Sequence, residues 1–119
     1  MLIEFLSVDF SFEDERGSLV QLTRTGCQQV NIVFSKAGAL RGRHYHKLNR
    51  ESFFVIYGEF ELIVSKGEQT EKFLMKKGDF FTVPPMVVHS FVYIKDSLLA
   101  AMYDKGIELT EDSKDIISL

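Results

Sequence analysis

Three histidines and one glutamate have the residue types and spacing of a shared ligand site. His44 and His46 are two residues apart, so on a strand both rings project from one face while Tyr45 projects from the other. Glu51 begins the next apolar run, and His89 lies on a later one. A single strand histidine is commonly a half-exposed surface residue, but this chain has only three histidines and all fall where one cavity can collect them. We therefore predict that His44, His46, Glu51 and His89 converge and form a donor set for one divalent transition metal, Zn, Fe, Ni or Mn.

The elements that must position these side chains are strands. No long segment has the apolar spacing of a helix, and Phe, Val, Ile and Tyr are abundant. In Phe60–Val64 the first, third and fifth side chains are apolar, so one face turns inward while Glu61 faces water. This pattern predicts an all-β fold, either a closed barrel or a double-sheet barrel. The predicted strands are Gly17–Thr23, Gln29–Phe34, Ser52–Tyr57, Glu59–Ser65, Gln69–Met75, Phe80–Val83, His89–Ile94 and Leu98–Tyr103.

The segments between the strands offer turn residues. Four of them contain a glycine, which supplies positive φ without steric cost, and we predict a hairpin at each. The tail from Glu108 to Leu119 mixes acidic and apolar residues, which fits a short docking helix or a frayed end equally well. The four glycine joints are Lys36–Gly38, Tyr57–Glu59, Lys66–Glu68 and Lys76–Asp79.

Length and composition limit the class of protein. A chain of 119 residues, 45% hydrophobic and 26% charged, predicts one globular domain spanning residues 1–119. It has no apolar run of the ~18 residues that a membrane span needs and no signal-peptide pattern, so we expect a cytoplasmic protein without a membrane partner. A net charge of −3 without a Lys and Arg stripe makes a nucleic-acid partner improbable. Cys27 is the only cysteine, which excludes an internal disulfide and predicts a buried, inert thiol.

Two motifs resemble those of the cupins. The first cupin motif reads Gly, five residues, His-x-His, three or four residues, Glu, six residues, Gly, and its matches are Gly38, His44, His46, Glu51 and Gly58. The resemblance covers most of the chain. It implies a single cupin domain, a double-stranded β-helix or jelly-roll barrel, and it does not specify a reaction.

The second cupin motif is matched less completely. Gly78, Pro84 and His89 stand at its Gly, Pro and His positions. Met86 replaces the usual second Gly, and Tyr93 replaces the usual Asn.

A narrower resemblance rests on Arg41–Lys47, with support from Asp14–Leu19 and Pro84–His89. Together these segments resemble the 3,4-ketoisomerases of nucleotide-linked 4-keto-6-deoxy sugars and, less closely, the dTDP-4-dehydrorhamnose 3,5-epimerases. The resemblance implies a histidine that removes a carbon-bound proton next to a ketone, in surface polysaccharide biosynthesis. The substrate would be a nucleotide sugar, and no organic cofactor is implied.

The resemblance also implies roles for individual residues. His44 is the first candidate for the base, and His46 supports or shares that role. Arg41 would hold a phosphate or orient the sugar. Positive charge near the enolate oxygen would come from Arg41, Arg43, Lys47 or a bound cation, and Tyr103 would exchange protons with that oxygen.

Two departures keep other functions open. Asn31 and Ile32 stand where the ketoisomerases usually have a tyrosine pair, and Glu51 stands where they usually carry Gln and work without metal. A metal-dependent enzyme of another class, such as a small oxygenase, is one alternative, and a non-catalytic sugar-binding or sensor cupin is another. We expect a homodimer, in which Met1–Leu6 either pairs with a second copy or closes its own barrel.

Overall fold

The computed structural model describes all 119 residues. Every element of regular secondary structure in it is a β-strand. It contains no helix that could span a membrane. The strands are β1 (Glu4–Phe5), β2 (Phe10–Asp14), β3 (Gly17–Gln21), β4 (Gln29–Ser35), β5 (Leu40–Tyr45), β6 (Glu51–Tyr57), β7 (Glu59–Lys66), β8 (Gln69–Lys76), β9 (Phe80–Val83), β10 (Val88–Tyr93), β11 (Ser97–Tyr103), β12 (Glu108–Thr110), β13 (Ser113–Lys114) and β14 (Ile117–Ser118).

The fold consists of two five-stranded antiparallel sheets. The first sheet has the order β1-β9-β6-β11-β4, and the second has the order β14-β5-β10-β7-β8. From β4 to β11 successive strands alternate between the two sheets. The exception is β8, which lies in the same sheet as β7. The sheets are not joined into a ring, so of the two forms that the sequence allows, the protein adopts the double-sheet barrel.

The hydrophobic core lies between the two sheets. Alternate residues of β6 and β7 point into it, and Val55, Leu62 and Val64 are completely buried. Phe53 stacks on Phe81 at a centroid distance of 5.2 Å. Burying side chains of this size contributes about 1.5–3 kcal/mol each, which makes this core the main source of stability.

Only one of the glycine joints is a hairpin. Lys66–Glu68 connects β7 to β8, which pair with each other. The other three joints carry the chain from one sheet to the other, so the prediction of hairpins there is wrong. Glycine permits the turn but does not determine which strands pair after it. At Gly58 (φ 109°) the reason for glycine is also steric, because a Cβ there would overlap Ser97 of β11.

Both predictions for the tail are wrong. β12 pairs with β13, and β14 adds to the edge of the second sheet beside β5, with Ile117 opposite Tyr45 and Ser118 opposite His44. Strands of two or three residues are too short to show an alternating pattern, so pairing with distant residues stabilises them instead.

The structure also tests the predictions for the N-terminal segment and for the cysteine. β1 pairs with β9, so Met1–Leu6 closes its own sheet, which is the second of the two alternatives for this segment. Cys27 is partly exposed in the loop between β3 and β4, so the prediction of a buried thiol is wrong.

Candidate functional site

The backbone of β5 is irregular where it carries the first histidine. Gly42 (φ 99°) and Arg43 (φ 58°) both have positive φ, and the pairing register with β10 shifts at His89 and Ser90. A Cβ on Gly42 would lie 2.5 Å from the carbonyl oxygen of His89, so only glycine fits this close approach. The irregularity brings His44 directly opposite His89, with 4.6 Å between the ring centroids. The predicted strand for His44 and His46 is present as far as Tyr45, and His46 is the first residue after it.

The four predicted side chains come together between the sheets. Their donor atoms all lie within 4.8 Å of one another. Oε1 of Glu51 is 2.9 Å from Nε2 of His46 and 3.2 Å from Nε2 of His89. These three side chains are almost completely buried, whereas His44 is partly exposed. The arrangement is therefore a buried carboxylate between two imidazoles, with a third imidazole beside them.

Hydrogen bonds from the far side of two rings fix their orientation. Nδ1 of His46 is 2.7 Å from the carbonyl oxygen of Asp115, and Nδ1 of His89 is 3.1 Å from that of Val87. A carbonyl oxygen only accepts, so each Nδ1 is protonated and donates, and each Nε2 faces Glu51.

This arrangement fits a divalent cation. Nε2 of His89 is buried and forms no hydrogen bond, because its 3.2 Å contact with Oε1 of Glu51 does not have hydrogen-bond geometry, and such orphaned polar atoms are rare in folded proteins. Metal-binding histidines commonly donate their other ring N–H to a carbonyl, as His46 and His89 do. The donor set of three imidazoles and one carboxylate is therefore chemically suited to a transition metal.

Electrostatics distinguish the ionisable groups of this cluster. Burial, together with the neighbouring imidazoles of His89 and His46, lowers the pKa of His44 to about 4, so its ring is neutral at pH 7. Burial alone would also lower the pKa of His46, but its hydrogen bonds to Glu51 and to the carbonyl of Asp115 raise that pKa overall. Burial would raise the pKa of Glu51, but the imidazoles of His46 and His89 hold it well below its ordinary value.

A cavity of about 380 Å³ opens beside His44. Its polar side chains are His44, Arg41 and Tyr93. Nε of Arg41 donates to Oγ of Ser35 at 2.7 Å, and Nη2 donates to the carbonyl oxygen of Phe34 at 3.1 Å, so the guanidinium is held in place. Burial raises the pKa of the Tyr93 phenol, which therefore stays protonated at neutral pH. The remaining lining residues are Val33, Leu40, Gly42, Phe53, Phe91 and Leu99.

Three other predicted site residues lie outside this cavity. Arg43 lines a neighbouring cavity of about 360 Å³, beside Ile63 and Ser90, and Arg41 lines both cavities. Lys47 is exposed in the turn after β5. Tyr103 packs edge-on against His46, with 5.6 Å between the ring centroids. Burial and the charge of Glu51 raise the pKa of Tyr103 far above its ordinary value.

Two residues of the site were not among the predicted ones. The sequence drew attention to Tyr93 only as a departure from the second cupin motif, which usually has Asn at this position. Asp115 gave none, because it lies 69 residues along the chain from the histidine that it contacts.

Comparison with known proteins identifies the relatives of this fold. The sequence profile of the family described as "Polysaccharide biosynthesis C-terminal domain" matches residues 12–115. None of the curated proteins matches the sequence significantly.

Solved structures with a similar fold are enzymes of sugar metabolism. A 3,4-ketoisomerase from Helicobacter canadensis is 17% identical with a TM-score of 0.82, covering 98% of this chain and 90% of its own. A variant of the 3,4-ketoisomerase QdtA from Thermoanaerobacterium thermosaccharolyticum, in complex with TDP-4-keto-6-deoxyglucose, is 12% identical with a TM-score of 0.80, covering 99% and 88%. A dTDP-4-dehydrorhamnose 3,5-epimerase from Sulfolobus tokodaii is 20% identical with a TM-score of 0.69, covering 87% and 75%. These likenesses show that the chain has the same all-β fold as these enzymes.

Proposed function

The chain belongs to the polysaccharide biosynthesis C-terminal domain family, and we propose that it is an isomerase or epimerase of a nucleotide-linked 4-keto-6-deoxy sugar. The observation that carries this proposal is the cavity in which a neutral imidazole, a fixed guanidinium and a protonated phenol face the same space. Two proteins with the same fold support this proposal: the QdtA ketoisomerase variant is in complex with TDP-4-keto-6-deoxyglucose, and the epimerase is named for dTDP-4-dehydrorhamnose.

His44 is the base in this proposal. It is the member of the histidine cluster that lines the cavity, and its ring is unprotonated at pH 7 because of burial and the neighbouring imidazoles. A proton on the carbon next to a ketone is acidic enough for a positioned imidazole, because the charge moves to the carbonyl oxygen. The imidazolium that forms is stabilised by the nearby carboxylate of Glu51.

Tyr93 is the proton donor in this proposal. When His44 removes the proton from C3, the electron pair forms a C3–C4 double bond and O4 becomes an enolate, which takes a proton from the phenol. In a ketoisomerase the 3-hydroxyl then loses its proton and C4 gains one, which moves the carbonyl from C4 to C3. In an epimerase C3 is protonated again from its other face. Tyr93 fits this role better than Tyr103, because Tyr103 does not line the cavity.

Arg41 binds the anionic part of the substrate. Its guanidinium lines the cavity and is anchored by Ser35 and by the carbonyl of Phe34. A guanidinium that is held in place and always positively charged is suited to bind a phosphate of the nucleotide or an enolate oxygen. Arg43 and Lys47 are weaker candidates for this role, since neither lines the cavity.

We also propose, as a second function of the cluster, that His44, His46, Glu51 and His89 hold one divalent transition metal; His44 would then be a ligand, and its bound nitrogen would not be free to act as the base. The orphaned Nε2 of His89 supports this assignment. A bound cation would add positive charge for stabilising an enolate oxygen.

The direct test uses NMR in deuterated water. The protein is incubated with a dTDP-linked 4-keto-6-deoxyhexose, and deuterium incorporation at C3 and C5 is followed together with the appearance of a new keto sugar. We expect His44→Asn to slow exchange by about 10²–10⁴-fold, the usual contribution of a general base. Glu61→Gln, on the outer side of β7, serves as the control with unchanged exchange.

Other outcomes of this test point to the alternatives. Absence of exchange and of a new sugar with the wild-type protein refutes the proposal for that substrate. Iron-dependent oxygen consumption would then favour a small oxygenase, and binding without turnover would favour a sensor. Tyr93→Phe and Tyr103→Phe separate the two phenols, because we expect only the first to abolish the new sugar while C3 exchange continues more slowly.

The proposal includes a homodimer in the cytoplasm. Antiparallel sheets usually turn one polar face to water, but β4 exposes Val30, Ile32 and Phe34 on the outer face of the first sheet, with 56%, 63% and 45% of each residue accessible. A second copy that packs its own β4 on this face would bury these side chains in a symmetric contact.

A further inference from the structure

We infer that Asp115 is a positioning residue that holds His46 in place for the histidine cluster, an inference that rests on the proposed function for its role in catalysis. Asp115 lies between β13 and β14, and 4% of it is accessible to solvent. Its carbonyl oxygen accepts the hydrogen bond from Nδ1 of His46 at 2.7 Å. This contact keeps a proton on Nδ1, so Nε2 is the nitrogen that faces Glu51 and His89: when protonated it donates to Glu51, and when deprotonated it offers its electron pair to a cation.

The carboxylate of Asp115 organises the turn that follows the histidine. It accepts hydrogen bonds from the backbone N–H groups of Lys47 at 2.8 Å, Leu48 at 3.0 Å and Asn49 at 2.9 Å. It also accepts one from Nδ2 of Asn49 at 2.8 Å. This turn joins His46 to Glu51, so one carboxylate determines how these two side chains are spaced.

Asn49 connects the same turn to a third segment. Its Oδ1 accepts hydrogen bonds from the backbone N–H groups of Lys105 at 3.0 Å and Gly106 at 2.8 Å, and its Nδ2 donates to the carbonyl oxygen of Gly106 at 2.7 Å. Asn49 is completely buried. The turn is therefore fixed on two sides, by Asp115 and by the loop after β11.

The residues after Asp115 contact β5, the strand that carries His44. Ser118 pairs with His44, and the backbone N–H of Leu119 donates to the carbonyl oxygen of Arg43 at 2.9 Å. The segment from Asp115 to Leu119 therefore supports β5 along its edge. Loss of such outer contacts to a metal-binding histidine typically weakens metal affinity by about 10–100-fold.

Asp115→Asn tests this inference, with Asp112→Asn as the matched control. An amide oxygen has two acceptor sites for the four donors around it, and the amide NH₂ would face N–H groups. Asp112 lies in the turn between β12 and β13, is exposed, and its carboxylate has no hydrogen bond. Binding of Co²⁺ and Zn²⁺ to the full chain is measured by calorimetry, and the visible spectrum of the Co²⁺ form is recorded. We expect about 10–100-fold weaker binding and an altered Co²⁺ spectrum for Asp115→Asn only.

Imidazole ¹⁵N NMR keeps the inference testable when the variant does not fold or no metal binds. In metal-free wild-type protein, Nδ1 of His46 must carry a proton that exchanges slowly with solvent. A folded Asp115→Asn variant keeps the carbonyl acceptor but loses the contacts of the carboxylate with the turn, so we expect that proton to exchange faster. A wild-type His46 without a proton on Nδ1 would overturn the inference. So would a folded variant with wild-type metal affinity, Co²⁺ spectrum and ¹⁵N shifts. None of these measurements uses a sugar, so failure of the proposed reaction is recognised separately.

Discussion

Replacing Glu51 by glutamine removes one negative charge from the buried cluster with little change of shape. In the metal-free protein the carboxylate lies 2.9 Å from Nε2 of His46, and both side chains are almost completely excluded from water. Glutamine keeps the volume but cannot stabilise an imidazolium. We therefore expect Glu51→Gln to destabilise the metal-free protein by an amount that depends on pH.

The magnitude follows from the hydrogen bond that is lost. A charge-assisted hydrogen bond contributes about 1.5–3 kcal/mol, and the neutral variant recovers part of this because its amide can donate to Nε2 of His46. We expect a loss of about 2 kcal/mol in the free energy of unfolding near pH 5.5. With a typical urea m-value of about 1–2 kcal/mol/M, the unfolding midpoint falls by about 1–2 M.

The pH dependence has a definite sign. The folded-state pKa of His46 is raised, so its contribution to stability is fully present below the ordinary histidine pKa and is lost as pH rises through the folded value. The folded-state pKa of Glu51 is lowered, so its contribution is present above the ordinary carboxyl pKa and is lost only as pH falls through the folded value. The difference between wild type and variant should therefore be largest at about pH 5–6 and should fall below about 1 kcal/mol near pH 9.

The assay is urea unfolding followed by far-UV circular dichroism, after removal of metal with a chelator. Glu61→Gln is the control, because Glu61 lies on the outer side of β7, away from the histidine cluster. Equal stability of Glu51→Gln and wild type at about pH 5.5, or a difference that grows toward pH 9, would refute this account of the cluster.

Three further predictions test the surroundings of the site. In urea unfolding, Gly42→Ala should lower the free energy of unfolding more than Gly67→Ala does. Both glycines have positive φ, but only at Gly42 would a Cβ meet the carbonyl of His89. Equal losses of free energy would mean that the backbone relaxes at Gly42. Zn²⁺ at 100 times its dissociation constant should raise the free energy of unfolding of the wild-type protein by about 2.7 kcal/mol, measured by calorimetry. His89→Gln should reduce this gain, and an undiminished gain would place the cation elsewhere. Ile32→Asp should convert a dimer to a monomer in sedimentation velocity, since a charge on the exposed face of β4 opposes an apolar contact; a dimer that persists would exclude that face.

The strands that the sequence predicted best are those of the core. In β6 and β7 the alternation of apolar side chains matches the alternation of buried residues, because one face of each strand packs against the other sheet. β5 was predicted only as the strand that carries the His44 and His46 pair, and its bounds were not predicted, because Leu40–Tyr45 shows no alternation of apolar side chains. The sequence also did not predict which strands pair with each other. Three of the four glycine joints connect strands of different sheets and not the two strands of a hairpin.

By itself the sequence determined which side chains meet in the site, since His44, His46, Glu51 and His89 match the spacing of a known motif and short-range strand geometry fixes which way each ring can point. Only the tertiary structure decided which groups surround them. Tyr93 rather than Tyr103 lines the cavity, and Asp115 orients His46 from 69 residues away. Contacts between distant segments depend on how strands pair across two sheets, and a local pattern of residues carries no information about that pairing.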